Sequence, residues 1–253
     1  MKVLFFLLGL IVINSSVSAQ KGLSSAFKSG ELLSYKSYYG FIDAGVATLK
    51  LEEKLLDDKK VFHAKAIAKT TGWCDNLFYV LDIYESYFDV VSGLPVKSIR
   101  NVREDKYKKY SVVTFDHNKN TVNSDVSGVR KVPDNILDIV SAYYYFRNAD
   151  FSKLKKGDII KYKTFFHDDI WELKVRYEGI EEIELDLGLI ECMKFRPIVE
   201  EGTFEDSDAL SLWISNDKNK IPVRVQMDFF VGSFKTDLIA FSGLQNSIYF
   251  KED

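Results

Sequence analysis

The chain has 253 residues, with 34 Lys and Arg against 37 Asp and Glu for a formal charge of -3, and only 2 Cys, 4 Pro and 14 Gly. With 46% hydrophobic and 28% charged residues it can build a core, which excludes disordered, collagen-like and disulfide-dense classes. The near-neutral charge offers no concentrated basic face for nucleic acid or an anionic membrane surface.

At the start, Lys2 precedes an apolar run from Val3 to Ile13, and Val17-Ser18-Ala19 supplies the small residues that signal peptidase reads. The expectation is a signal peptide over residues 1–19, then one β-rich domain over 20–253. The run is shorter than the roughly 20 apolar residues of a transmembrane helix, and no later segment is long enough to span. Export is therefore expected, to the periplasm in a Gram-negative host. No Cys lies near the cleavage point to carry a lipid.

After cleavage the pattern is dominated by period-two alternation broken by short polar turns, the mark of half-buried strands joined by hairpins. Strands are expected, in order, at 32–39, 45–55, 61–71, 78–90, 96–104, 107–115, 121–126, 159–166, 170–177, 183–187, 189–199, 210–215, 223–230 and 234–241. In the ninth, Trp171, Leu173, Val175 and Tyr177 share one face while Glu172, Lys174 and Arg176 share the other. Hairpin after hairpin implies an antiparallel meander, because parallel pairing needs crossovers of a dozen or more residues. Only one stretch could supply a crossover. Behind Pro133, with Asp134 placed to cap, Ile136, Val140, Tyr143 and Tyr144 recur at helical spacing, and a helix is expected over about 135–147. The fold class is mainly β: a long meander forming a strongly curved sheet or open barrel with this one main helix.

Cys74 and Cys192 admit two readings, one disulfide in an oxidising compartment or two buried thiols packing as small apolar groups. Neither has a His within a few residues, which argues against a thiol catalyst.

Short patterns along the chain are similar to a family of exported bacterial proteins, many from Bacteroidota, named only as domain of unknown function 3108. They are Gly30-Glu31-Leu32-Leu33-Ser34-Tyr35, Tyr39-Gly40, Ala44-Gly45-Val46-Ala47-Thr48, Gly93-Leu94-Pro95 and Ser141-Ala142-Tyr143-Tyr144 with Arg147. Later come Cys192 with Phe195-Arg196-Pro197, Gly202 with Phe204, and Trp213-Ile214-Ser215-Asn216-Asp217 leading to Ile221-Pro222. The resemblance implies an envelope location and a β-rich single domain, and it brings no catalytic residues.

Sites of chemistry are sparse. His167-Asp168-Asp169 is the densest group of potential ligands or acid-base groups, but it falls between two expected strands and reads as a polar turn. Asn216-Asp217-Lys218-Asn219-Lys220 lacks the regular carboxylate spacing of a calcium loop and also reads as a turn. Glu31, Glu85, Glu104 and Glu172 are carboxylates without a visible pairing for glycoside hydrolysis. No phosphate loop, nucleophile elbow or metalloprotease motif occurs. No catalytic residue, metal or cofactor is expected.

The aromatic content, 19 Phe and 14 Tyr, carries more information. Aromatic residues fill the cores of large sheets, but they also build apolar, hydroxyl-rimmed cavities for an amphiphile or a glycan. Tyr143, Tyr144 and Phe146 on the helix, with Tyr84, Phe88 and Trp171 on strands, are the candidate ligand-binding residues. The leading expectation is a non-enzymatic periplasmic binding protein holding a lipid-like ligand on the concave side of the sheet. Alternatives are an assembly protein that engages an envelope partner by a sheet face or edge, an outer-membrane barrel and a hydrolase.

Overall fold

The structure, a computed structural model, describes residues 25–198 and 209–251. The expected signal peptide, with Gly202 and Phe204, lies outside the described residues. The first set of strands is β1 (Glu31–Tyr39), β2 (Ile42–Leu56), β3 (Lys59–Thr70), β4 (Val80–Asp89), β5 (Pro95–Glu104), β6 (Tyr107–Asp116), β7 (Thr121–Ser124) and β8 (Gly128–Lys131). The second set is β9 (Ile159–Phe166), β10 (Asp169–Leu185), β11 (Gly188–Pro197), β12 (Leu210–Ser215), β13 (Pro222–Asp228) and β14 (Ser233–Ser242). All fourteen form one antiparallel sheet in which β1 pairs with both β2 and β14, so the two meanders join edge to edge. β8 and β9 are its outer strands, and no strand pairing between them closes the sheet.

The ends of the sheet are nevertheless tied. Leu137 makes a parallel bridge to Thr164 of β9, donating to the Lys163 carbonyl and accepting from Phe165 N–H. Ser124, Ser127 and Arg130 of the β7–β8 hairpin reach Asp168 in the β9–β10 turn. His167-Asp168-Asp169 is thus a tight turn with φ of 54° and 60° at its first two residues, and its carboxylate clasps the opposite edge. A clasp of this kind blunts edges that would otherwise recruit another chain.

Two helices interrupt the strands: α1 (Trp73–Leu77), which the alternation pattern missed, and α2 (Ile139–Arg147). α2 starts four residues later than expected, because Leu137 belongs to the sheet bridge and Asp138, not Asp134, is the cap. Asp138 accepts from Val140 N–H and Ser141 N–H, while Ser141 returns a bond to the cap backbone. Asp134 bonds Asn120 instead. The expected strands at 170–177 and 183–187 are one long strand, β10, and β8 was not anticipated.

Among the described residues no helix is long and apolar enough to cross a membrane. Cys74 and Cys192 are free thiols, the first partly exposed on α1 and the second buried on β11, so the disulfide reading is not what the fold holds. Burial pushes the Cys192 thiol up to about 12.

Candidate functional site at the concave face

Cross-strand register arranges the concave face of β1 to β5 in rows. The first runs Glu31, Leu51, Ala64, Ser86 and the second Leu33, Leu49, Ala66, Tyr84, Arg100. The third runs Tyr35, Ala47, Ala68, Asp82, Val102, and beyond it lie Ser37, Gly45 and Glu104.

α2 lies along the first row. Its cap Asp138 accepts from Ser86 Oγ at 2.5 Å, and at its other end Arg147 meets Glu31. Both partners of that ion pair are fully buried. The guanidinium forks onto the two carboxylate oxygens at 2.5 and 2.7 Å, and also donates to the carbonyls of Asn219 and Ala26. Phe27, Tyr143 and Tyr144 surround it with ring centroids 5.3 to 5.4 Å from its central carbon. Arg147 therefore binds the N-terminal arm, β1, α2 and the β12–β13 turn at one point. That turn is the Asn216–Lys220 segment; Asp217 stabilises it by accepting from Asn219 N–H and Lys220 N–H. Burial of the first row is complete: Glu31, Leu51, Ala64 and Ser86 are each 0% exposed.

The third row differs. Ala47 and Ala68 are partly exposed although they face inward from the middle of a fourteen-stranded sheet. Ala47 packs against the core cluster that includes Tyr35 and Tyr84, so the two methyls mark where the concave side is least covered. Small residues on β2 and β3 keep this stretch of the sheet thinly covered.

Asp82 is 1% exposed. Its Oδ1 accepts from Arg103 N–H at 3.0 Å, and no protein group donates to Oδ2. Burial, aided by Glu104, pushes its acid up to about 7 against the opposing pull of the Arg103 N–H and the Arg100 charge. Arg100 Nε donates to the Tyr84 hydroxyl at 3.3 Å, and its guanidinium lies 5.5 Å from the Phe166 ring.

The six aromatic residues singled out from sequence divide. Tyr84 lies next to Asp82 along the concave face of β4 and bonds Arg100, while Tyr143 packs edge-on against Tyr144 and beside the Arg147 guanidinium in the core. Tyr144 and Phe88 stack on each other at 5.3 Å within the packed core, and Phe146 packs on Phe151 and Phe195 on the other side of α2. Trp171 is 47% exposed, its indole donating to the Phe166 carbonyl, so it lines no interior surface. Asp82 and the alanines were missed. The readable signal was parity: on β4, Asp82 falls on the same alternate positions as Val80, Tyr84 and Phe88, where a charge is out of place.

A second concavity lies on the outer face, a cleft of ≈ 520 Å³ between β1, β14 and the end of β10. Within it Arg224 forks onto Asp237, and the Tyr38 hydroxyl donates to the same carboxylate at 2.5 Å; burial and that bond push the Tyr38 phenol up to about 12. Near it, the turns after β1 and β13 expose Phe41, Ile42, Phe230 and Val231.

A family model described as a protein of unknown function, DUF3108, matches residues 34–239. No curated protein matches. Among solved structures, the chain is similar to a beta-barrel-like protein of domain of unknown function DUF1849 from Brucella abortus. The two share 9% identity with a TM-score of 0.57, covering 86% of this chain and 99% of that one. An exported-protein candidate with a YmcC-like fold from Bacteroides fragilis aligns at 12% identity over 87% and 99% of the two chains, with a TM-score of 0.34. At these identities the first likeness speaks for the open-barrel fold alone.

Proposed function

Since the chain belongs to the DUF3108 family, whose function is unknown, we propose its role from the site itself: an exported periplasmic protein that binds a lipid-like or other amphiphilic ligand, without catalysis, on the concave side of the sheet beside α2. The observation that carries this reading is the partial exposure of Ala47 and Ala68 on the concave face, beside a first row that is fully buried. The apolar inner face supplies area for an acyl chain, and the partly exposed Arg100, bonded to the Tyr84 hydroxyl, supplies a polar group for orientation. The fully packed first row confines the ligand to the side of the sheet bearing Tyr35 and Asp82.

The signal peptide expected from sequence over residues 1–19 supports the location. Native mass spectrometry of the mature chain, purified without detergent and mixed with a lysophospholipid, tests the reading. A one-to-one complex is expected; a protein that retains no lipid at micromolar concentrations contradicts it.

A second reading, docking of an envelope protein, draws on Phe41 and Phe230, each 104% exposed at neighbouring hairpin turns. Crosslinking in cells from cysteines placed at those two positions distinguishes it: one dominant adduct favours docking.

A further inference from the structure

The apolar residues that the fold leaves exposed gather at one end of the sheet. Register brings four connections of eight neighbouring strands to that end: β1–β2, β3–β4, β5–β6 and β13–β14. These connections expose Phe41, Phe230 and Val231 at turn tips, and Trp73 with Leu77 on α1. α1 buries none of its residues, and Trp73 and Leu77, four apart, share one face of it. At the opposite end of the same strands, the β2–β3 and β6–β7 turns are the polar Asp57-Asp58 and His117-Asn118-Lys119-Asn120. Leu55 and Val91 are the large apolar side chains exposed there among the described residues.

The tips are fixed in place. The Tyr39 hydroxyl donates to the Val231 carbonyl, and the Tyr39 and Phe229 rings meet edge-on at 6.3 Å. Gly232, with φ of 75°, leaves room for Tyr39, whose hydroxyl a side chain there would meet at 3.1 Å. Phe41 and Phe230 thus stand outward on two joined turns. At the same end the β5–β6 hairpin sets Arg103 directly opposite Lys108, both exposed, with the exposed Lys106 in the turn. Like charges directly opposed weaken a strand pair, and an anionic oxygen group between them offsets that cost.

We propose that this end of the sheet docks on the surface of a phospholipid bilayer, independently of any ligand on the concave face. The phenylalanine tips and the Trp73–Leu77 face enter the acyl boundary, while Arg103, Lys106 and Lys108 face lipid phosphates. The arrangement favours a bilayer over a protein partner. Phe41 and Phe230 each project fully from a separate turn, and a fluid interface takes up such prongs one by one, whereas a protein would need a matching pocket for each. Trp and Tyr are the aromatic side chains that the head-group region favours, and Tyr107 is exposed beside Lys106. Lysine reaches phosphates from an apolar surface by extending its stem. With a formal charge of -3, the chain is not drawn to a membrane by charge alone. Apolar insertion therefore supplies most of the affinity, and the basic hairpin adds a preference for anionic lipid.

Flotation of the mature chain with phosphatidylcholine vesicles, and with vesicles that also contain phosphatidylglycerol, is the test. Binding to both is expected, about fivefold or more tighter to the anionic vesicles. Phe41→Ser combined with Phe230→Ser, at fully exposed positions, is expected to weaken binding to both by about tenfold or more with an unchanged melting temperature. Leu55→Ser combined with Val91→Ser, at the opposite end, is expected to leave binding as it is. Arg103→Gln combined with Lys108→Gln is expected to remove the anionic gain and keep the binding to phosphatidylcholine. A wild-type chain that floats with neither vesicle, or a double phenylalanine variant that floats as well as wild type, overturns the proposal. So does an equal loss in the opposite-end variant. One dominant protein adduct from positions 41 and 230 in cells, without vesicle binding, assigns the surface to a protein partner instead.

Discussion

β3 presents alanine to the interior three times, and the first and last of these fare differently. Ala64 is fully buried beneath α2, whereas Ala68, four residues along the same face, is partly exposed. At Ala64 the small side chain is a packing requirement, because the helix lies on it; at Ala68 the methyl keeps part of its surface open. The lesson is that residue type does not separate buried core from open concave surface here. Position relative to α2 does, and α2 is fixed by Arg147 and Glu31 at one end and by Asp138 and Ser86 at the other.

The largest effect should follow from breaking that anchor. Arg147→Met leaves Glu31 charged and unpaired in the core and is expected to cost about 3–5 kcal/mol in urea unfolding. The double variant Glu31→Leu with Arg147→Met should recover most of the loss; a double variant as damaged as the single one would show that the lost contacts with Asn219 and Ala26 dominate.

The buried acid on the concave face, Asp82, comes next. Its pKa is raised in the fold, so the native state holds a proton that the unfolded chain releases near pH 4. Asp82 therefore favours folding fully at lower pH and loses that contribution as pH rises to about 7. Relative to Asp82→Asn, wild-type stability should fall between pH 4 and 7, by ~2–4 kcal/mol over the range, and run parallel above it. Parallel curves throughout would remove Asp82 as a buried acid.

The two alanines give the direct contrast. Ala64→Leu overfills a packed site and should cost about 1–3 kcal/mol by thermal or urea unfolding, while Ala68→Leu should stay within about 0.5 kcal/mol of wild type. Smallest of all, Tyr144→Phe deletes a buried hydroxyl that has no protein partner and should change stability by less than about 1 kcal/mol, in the stabilising direction.

Much of the fold was legible because alternation is a direct record of a sheet with one wet and one dry face. Thirteen of the fourteen strands lie where it runs, with 183–187 absorbed into β10, and the helix is found with its C-terminus in place. What escaped depended on contacts distant in sequence. The start of α2 is set by Ser86 and β9, which no local pattern around Asp134 could report. β8 is four residues long, too short for a period to emerge. The candidate site was legible only in part: aromatic content drew notice to Tyr84, but it equally marked Tyr143, Tyr144, Phe88 and Phe146, whose rings serve packing. The informative residues on the concave face were the least conspicuous, two alanines and one carboxyl on the wrong parity of β4. Alanine carries no functional signal until its surroundings are known.

The central claim is that the space beside Ala68 is a binding site and not a packing defect. Wild-type and Ala68→Leu chains, matched for thermal stability, should be titrated with a lysophospholipid. The account predicts that the leucine covers the open concave surface and weakens binding at least tenfold while the melting temperature stays unchanged. Equal affinity in the two chains would contradict it.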